Sequence, residues 1–126
     1  MHYLYCRDIQ QSVDFYVSLG FSIYFDSQDG HGVRHARLSH PDCENMLIAL
    51  EYFPELLTLS DKLTTIDNHP LKVALTIVTD DYFIWKDKFA GASAEQVLSI
   101  IEPYGFWIYY RDPSGNLICV SNTPLW

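Results

Sequence analysis

Two stretches of this chain carry the same punctuation about 71 residues apart, and that repeat restricts the possible folds more than any other feature. The first stretch opens with Tyr3–Cys6, a short run of β-formers. Asp8-Ile9-Gln10-Gln11 then reads as a helix start, because an Asp N-cap followed by Gln three residues later can satisfy orphan backbone donors reciprocally. Ile9, Val13, Tyr16 and Leu19 fall on one helical stripe, and Gly20 stands where a left-handed C-terminal residue belongs. Strands are expected at Ser22–Asp26, Val33–Ser39 and Met46–Tyr52, separated by polar and Gly-containing turns. That is one β-α-β-β-β unit.

The second stretch repeats it. Lys72–Val78 reads as a strand, Asp80 or Thr79 as the cap of a helix carrying Phe83, Ile84 and Phe89, and Gly91 as its close. Strands follow at Gln96–Ile101, Phe106–Arg111 and Leu117–Ser121. The fold class is therefore α+β, with two βαβββ modules in a single domain over residues 1–126. The first module covers 1–53 and the second 71–126. The connector, 54–70, is of mixed character with room for one helical turn. The hairpin turn Arg111-Asp112-Pro113-Ser114-Gly115-Asn116 has its own chemistry. Pro113 presets φ, Gly115 accepts a left-handed conformation, and Asp112 or Asn116 can bond turn amides.

Side-chain parity sorts the two faces of each sheet. Val73, Leu75 and Ile77 form an apolar row opposite Lys72, Ala74, Thr76 and Val78. Ile118 and Val120 oppose Leu117, Cys119 and Ser121, while Leu4 and Cys6 oppose Tyr3 and Tyr5. The apolar rows belong under the helices, and the mixed rows belong to a second, partly polar face that can curl into a pocket. Composition does not settle the facing of Trp107 and Tyr109.

Bulk properties remove several functions. A net charge of −8 disfavours nucleic acid, which needs a basic face, and suits a cationic ligand through long-range attraction. No apolar run approaches the roughly 20 residues of a membrane span, and no signal peptide precedes Met1-His2-Tyr3, so a cytoplasmic protein is expected. Three widely spaced cysteines (Cys6, Cys43 and Cys119) support neither a disulfide framework nor a zinc knuckle. His31, His35, His40 and His69 lie in or near expected turns and read as surface residues.

The chain resembles the vicinal oxygen chelate superfamily, which holds glyoxalase I, extradiol dioxygenases, fosfomycin resistance enzymes and bleomycin-resistance proteins. The resembling residues are Asp8-Ile9-Gln10-Gln11-Ser12-Val13-Asp14-Phe15-Tyr16 with Leu19-Gly20-Phe21, and Pro103-Tyr104-Gly105 through Arg111-Asp112-Pro113-Ser114-Gly115-Asn116. The resemblance implies a curled, partly open mixed sheet, completed as a cavity in a homodimer. It also implies four metal-ligand positions, which fall here on Met1, Ala49, Lys72 and Cys119. Ala49 has no donor, Met1 is a weak one, and Lys72 would repel a divalent ion. No metal and no cofactor is therefore expected. A shifted site of His2, Glu51 and Cys119 would need a bulge, because a one-residue slip turns a strand side chain to the opposite face.

Three functional readings follow. The first is a small-molecule binding protein near the bleomycin-resistance-like branch, sequestering an antibiotic or other organic ligand. Its cavity would be walled by Tyr3, Tyr5, Ala49, Glu51, Lys72, Thr76, Trp107, Tyr109 and Cys119. The second is a glyoxalase-like lyase or extradiol-type dioxygenase with a displaced metal site. The third is metal-free catalysis by Lys72 or Cys119, as a desolvated amine or a thiolate.

Overall fold

The computed structural model describes residues 1–53 and 73–122. Along the chain the elements are β1 (His2–Cys6), α1 (Ile9–Ser18), β2 (Ser22–Gln28), β3 (Arg34–His40) and β4 (Cys43–Tyr52). They continue with β5 (Leu75–Val78), α2 (Tyr82–Gly91), β6 (Glu95–Glu102), β7 (Gly105–Arg111) and β8 (Leu117–Ser121). Two sheets form, in the orders β1-β4-β3-β2 and β5-β8-β7-β6. In each the first strand runs parallel to the last and the other pairs are antiparallel. The internal repeat read from the sequence is thus a repeat of topology, and the architecture is α+β with open sheets.

Local chemistry explains the helix ends, with two corrections. The Asp8 side chain accepts from Gln11 N at 3.1 Å, and Gly20 takes φ +101° just beyond α1. The cap of α2 is Asp81, accepting from Ile84 N at 3.1 Å, and neither Asp80 nor Thr79. Thr79 instead accepts from Asp81 N and so positions the cap. Gly91 does not close α2 with a left-handed turn either. It is the last helical residue, and Ser93 takes the positive φ of 56°. Of the apolar residues read onto this helix only Phe89 is buried; Phe83 and Ile84 are exposed, and Trp85, one turn before Phe89, completes the buried stripe.

Both helices feed one core. Leu4, Leu38, Ile48 and Leu50 from the first sheet share a buried cluster with Leu75, Ile77, Ile108, Ile118 and Val120 from the second. Between them lie Ile9, Val13 and Tyr16 of α1 with Trp85 and Phe89 of α2. Phe89 stacks on Tyr110 with ring centroids 4.0 Å apart and the planes 3° from parallel. Val73 departs from the expected row. β5 starts only at Leu75, so strand alternation does not reach back to Val73, which packs against Tyr109, Leu117 and Cys119 on the other face.

The Asp112–Asn116 turn is also the joint between the modules. Asp112 Oδ1 accepts from Ser114 N and Asn116 N, both at 2.9 Å, closing the turn on itself. Its other oxygen accepts from the Tyr16 hydroxyl of α1 at 2.7 Å and from Asn116 Nδ2 at 2.9 Å. Arg7 N donates to Ser114 Oγ at 3.1 Å, Arg7 Nη2 to the Pro113 carbonyl at 2.7 Å, and Asn116 Nδ2 to the Tyr5 carbonyl at 2.9 Å. Burial pushes the Asp112 carboxyl above its usual range against the pull of these bonds.

Candidate functional site

With the helix-side faces of both sheets committed to a common core, the opposite faces turn away from it. Register shows what they carry. On the first sheet Tyr3, Ala49, Arg37 and Phe25 lie side by side across β1, β4, β3 and β2. The next row is Tyr5, Glu51, His35 and Ser27. On the second sheet Thr76, Cys119, Tyr109 and Leu98 form one row, and Val78, Ser121, Trp107 and Ile100 the next. Trp107 and Tyr109, whose facing was open, are therefore on the free face, whereas Ile108 and Tyr110 belong to the shared core.

The expected cavity residues thus occupy free faces, but in two groups. Tyr3, Tyr5, Ala49 and Glu51 belong to the first sheet, and Thr76, Trp107, Tyr109 and Cys119 to the second. Among the described residues no hydrogen bond or ring contact joins one group to the other. Lys72, a candidate both for the wall and for catalysis, lies outside the described residues, as do His69 and the connector. Exposure differs between the faces. Tyr3 is 57% and Tyr5 49% exposed, whereas Tyr109, Leu117 and Cys119 form a small buried cluster.

Two of the positions that the resemblance gives to metal ligands lack a strong donor. Ala49 offers a methyl group, and Met1 precedes β1 with more than half its surface exposed. The Cys119 thiol is pushed up to about 11 by burial, with Tyr109 hydrogen-bonded to it. The shifted site does not assemble. His2 pairs in register with Ile48, which aligns with Leu38 on the helix side, while Glu51 is on the free face. Among the described residues no group of three His, Cys, Asp or Glu side chains is placed to hold a metal ion.

Glu51 has other partners, which sequence reasoning missed. Its Oε2 lies 2.6 Å from His35 Nδ1 and its Oε1 accepts from Arg37 Nη1 at 2.8 Å. His35 Nε2 reaches Asp29 Oδ2 in the β2–β3 turn at 3.1 Å. Hydrogen bonds to Asp29 and then Glu51 raise the His35 pKa. His35 is therefore a half-covered member of a charged row on β3, not a turn residue. The i, i+2 spacing of His35 and Arg37 on an expected strand was the signal available. His40 was also misplaced, since it is buried against Phe21 and Trp85, with Nε2 3.1 Å from the Leu19 carbonyl and Nδ1 accepting from Asp42 N.

A separate open cleft of about 460 Å³ lies at the start of α1, lined by Arg7, Asp8, Ile9, Gln10, Gly32, Val33, Arg34 and Tyr52. Its arginines are partnered within the chain: Arg34 holds Asp26 and Gln10, and Arg7 holds Pro113.

This architecture is that of the glyoxalase, bleomycin-resistance and dioxygenase fold. Among solved structures, a bleomycin-binding protein complexed with bleomycin aligns with a TM-score of 0.65 at 16% identity, over 97% of this chain and 95% of that one. UcmS2 gives a TM-score of 0.75 at 17% identity, over 97% of this chain and 95% of that one. The fosfomycin resistance protein FosX of Mesorhizobium loti gives 0.66 at 11% identity, over 98% and 90%. No family model and no curated protein matches the sequence. No helix among the described residues is long and apolar enough to cross a membrane.

Proposed function

We propose that this protein is a small-molecule binding protein whose ligand lies against the free sheet faces without a metal ion. The observation that carries this reading is the chemistry of those faces. They present aromatic rings beside a charged row whose members bond one another, and Ala49, which has no donor, stands at one of the ligand positions. Aromatic walls with a few fixed polar groups are the usual make-up of an organic-ligand site. A bound drug in one protein of the same fold supports the class of ligand, and the chemistry of this chain's faces selects its own.

The free faces turn away from the core that joins the modules, so one chain does not bring Tyr3 and Tyr5 opposite Trp107 and Tyr109. In this reading a second copy supplies the opposite wall, in a homodimer with two equivalent cavities. The test is isothermal titration of aromatic ligands into protein stripped with EDTA, then repeated with zinc, manganese or nickel restored. Equal affinity in both is expected. Binding or turnover that appears only with stoichiometric metal would establish instead the lyase or dioxygenase reading.

A further inference from the structure

The charged row on the first sheet ends in donors that no described residue uses. Both oxygens of Glu51 are occupied, one by Arg37 Nη1 and the other by His35. That fixes the Arg37 guanidinium, yet its Nε and Nη2 have no acceptor among the described residues. The Arg37 side chain is 23% exposed, so these donors are partly desolvated and still reachable.

Its neighbours shape the space around it. Arg37 sits in register between Ala49 and Phe25, with Tyr3 beyond Ala49. Ala49 has no exposed surface and lies beneath its neighbours, while Tyr3 and Phe25 keep about half their surface exposed at the two ends of the row. An exposed ring on either side of Arg37 offers a stacking face to a flat body. Charge then favours one head group. On the sheet face Glu51 is shared by Arg37 and His35, and the free edge of the Arg37 guanidinium presents only donors.

We propose that Arg37 anchors the carboxylate of a flat aromatic acid whose ring lies between Tyr3 and Phe25. This rests on reading the free face as a ligand wall, and it gives that wall a ligand class. A guanidinium pairs a carboxylate through two parallel N–H donors, and one already oriented by Glu51 loses little freedom on binding. An aromatic cation, which the net charge of −8 attracts at long range, meets Arg37 at short range on this sheet and is disfavoured there.

The test uses one aromatic body with three heads, 1-naphthoate, 1-naphthamide and 1-naphthylmethylammonium, titrated calorimetrically into the EDTA-treated full chain. The carboxylate should bind about tenfold tighter than the amide, with the ammonium weakest. Arg37→Gln should bring the carboxylate to the affinity of the amide and leave the amide unchanged. Arg37→Lys, which keeps the charge without the fork, should restore part of the preference, and it serves as the second variant if Arg37→Gln does not fold. Equal binding of carboxylate and amide, or a preference surviving in Arg37→Gln, overturns the proposal. In that event, loss of all three probes on Tyr3→Ala would leave the aromatic-wall reading standing. Failure of every probe to bind at millimolar concentration would remove that reading and this proposal together.

Discussion

Removing one hydroxyl from α1 should loosen the joint between the two halves. Tyr16 is fully buried, and its ring packs edge-on against Phe15 and Phe21 at 5.1 and 5.6 Å. Tyr16→Phe keeps that packing and deletes only the 2.7 Å bond to Asp112 Oδ2. Hydrogen bonds to charged groups contribute about 1.5–3 kcal/mol, and Asp112 keeps Asn116 Nδ2 on the same oxygen, so a loss of about 2 kcal/mol is expected. For a domain of this size that is a fall in melting temperature of about 8 °C, measured at fixed protein concentration near pH 7. Asp112→Asn retains the two backbone amides on one oxygen but turns an NH2 group towards Asn116 and removes the charge. In a double-mutant cycle by urea denaturation the two changes should couple by at least about 1 kcal/mol. Additivity within about 0.5 kcal/mol would mean that Tyr16 and Asp112 do not act as a pair, and would refute the joint.

Glycines 20 and 91, matched by the sequence repeat but placed differently in the fold, should respond oppositely to alanine. At Gly20 a Cβ would meet His40 Nε2 at 2.9 Å and Lys88 Nζ at 3.1 Å with φ at +101°, so Gly20→Ala should cost about 2–5 kcal/mol in denaturant melts. Gly91 has no neighbour within 4 Å of a Cβ and ordinary helical φ, so Gly91→Ala should stabilise by about 0.5–1 kcal/mol. Histidine titration by NMR should split two residues around the ordinary imidazole value. The carboxylates of Asp29 and Glu51 raise His35, whose stabilising contribution is complete below that value and fades as pH rises through its folded pKa. Burial, with Lys88 nearby, lowers His40, whose contribution is present above that value and is lost as pH falls through its folded pKa. Coincident titration of the two would contradict both environments. Light scattering should give twice the 14.6 kDa chain mass, and a mass near one subunit would remove the shared cavity.

What the sequence disclosed followed from periodicity and turn chemistry. Alternation placed Leu4, Cys6, Leu75, Ile77, Ile118 and Val120 under the helices, because one face of each strand is uniformly apolar there. It could not orient Trp107 and Tyr109, since Phe106–Arg111 is aromatic or apolar on both sides and both faces of β7 are covered. Helix ends were legible at Asp8 and Gly20 but not at Asp81 and Ser93. Three consecutive polar residues, Thr79-Asp80-Asp81, each qualify as a cap, and only the backbone path decides among them. The charged row on the first sheet was the larger omission. His35 and Arg37 meet Glu51 only through the pairing of β3 with β4, which fixes His35 opposite Glu51, and Asp29 reaches His35 from the β2–β3 turn. The joint at Asp112 was hidden for a related reason: its turn chemistry accounts for one carboxylate oxygen, while the other is committed 96 residues away in the chain, at Tyr16.

Amide chemical-shift mapping of EDTA-treated protein saturated with an aromatic ligand tests metal-free binding at the free faces most directly. Shifts should cluster at Tyr3, Ala49 and Arg37 on the first sheet and at Tyr109 and Cys119 on the second, with Leu38 and Ile48 little changed. Shifts confined to the cleft at Arg7 and Tyr52, or absent until zinc, manganese or nickel is added, would contradict it.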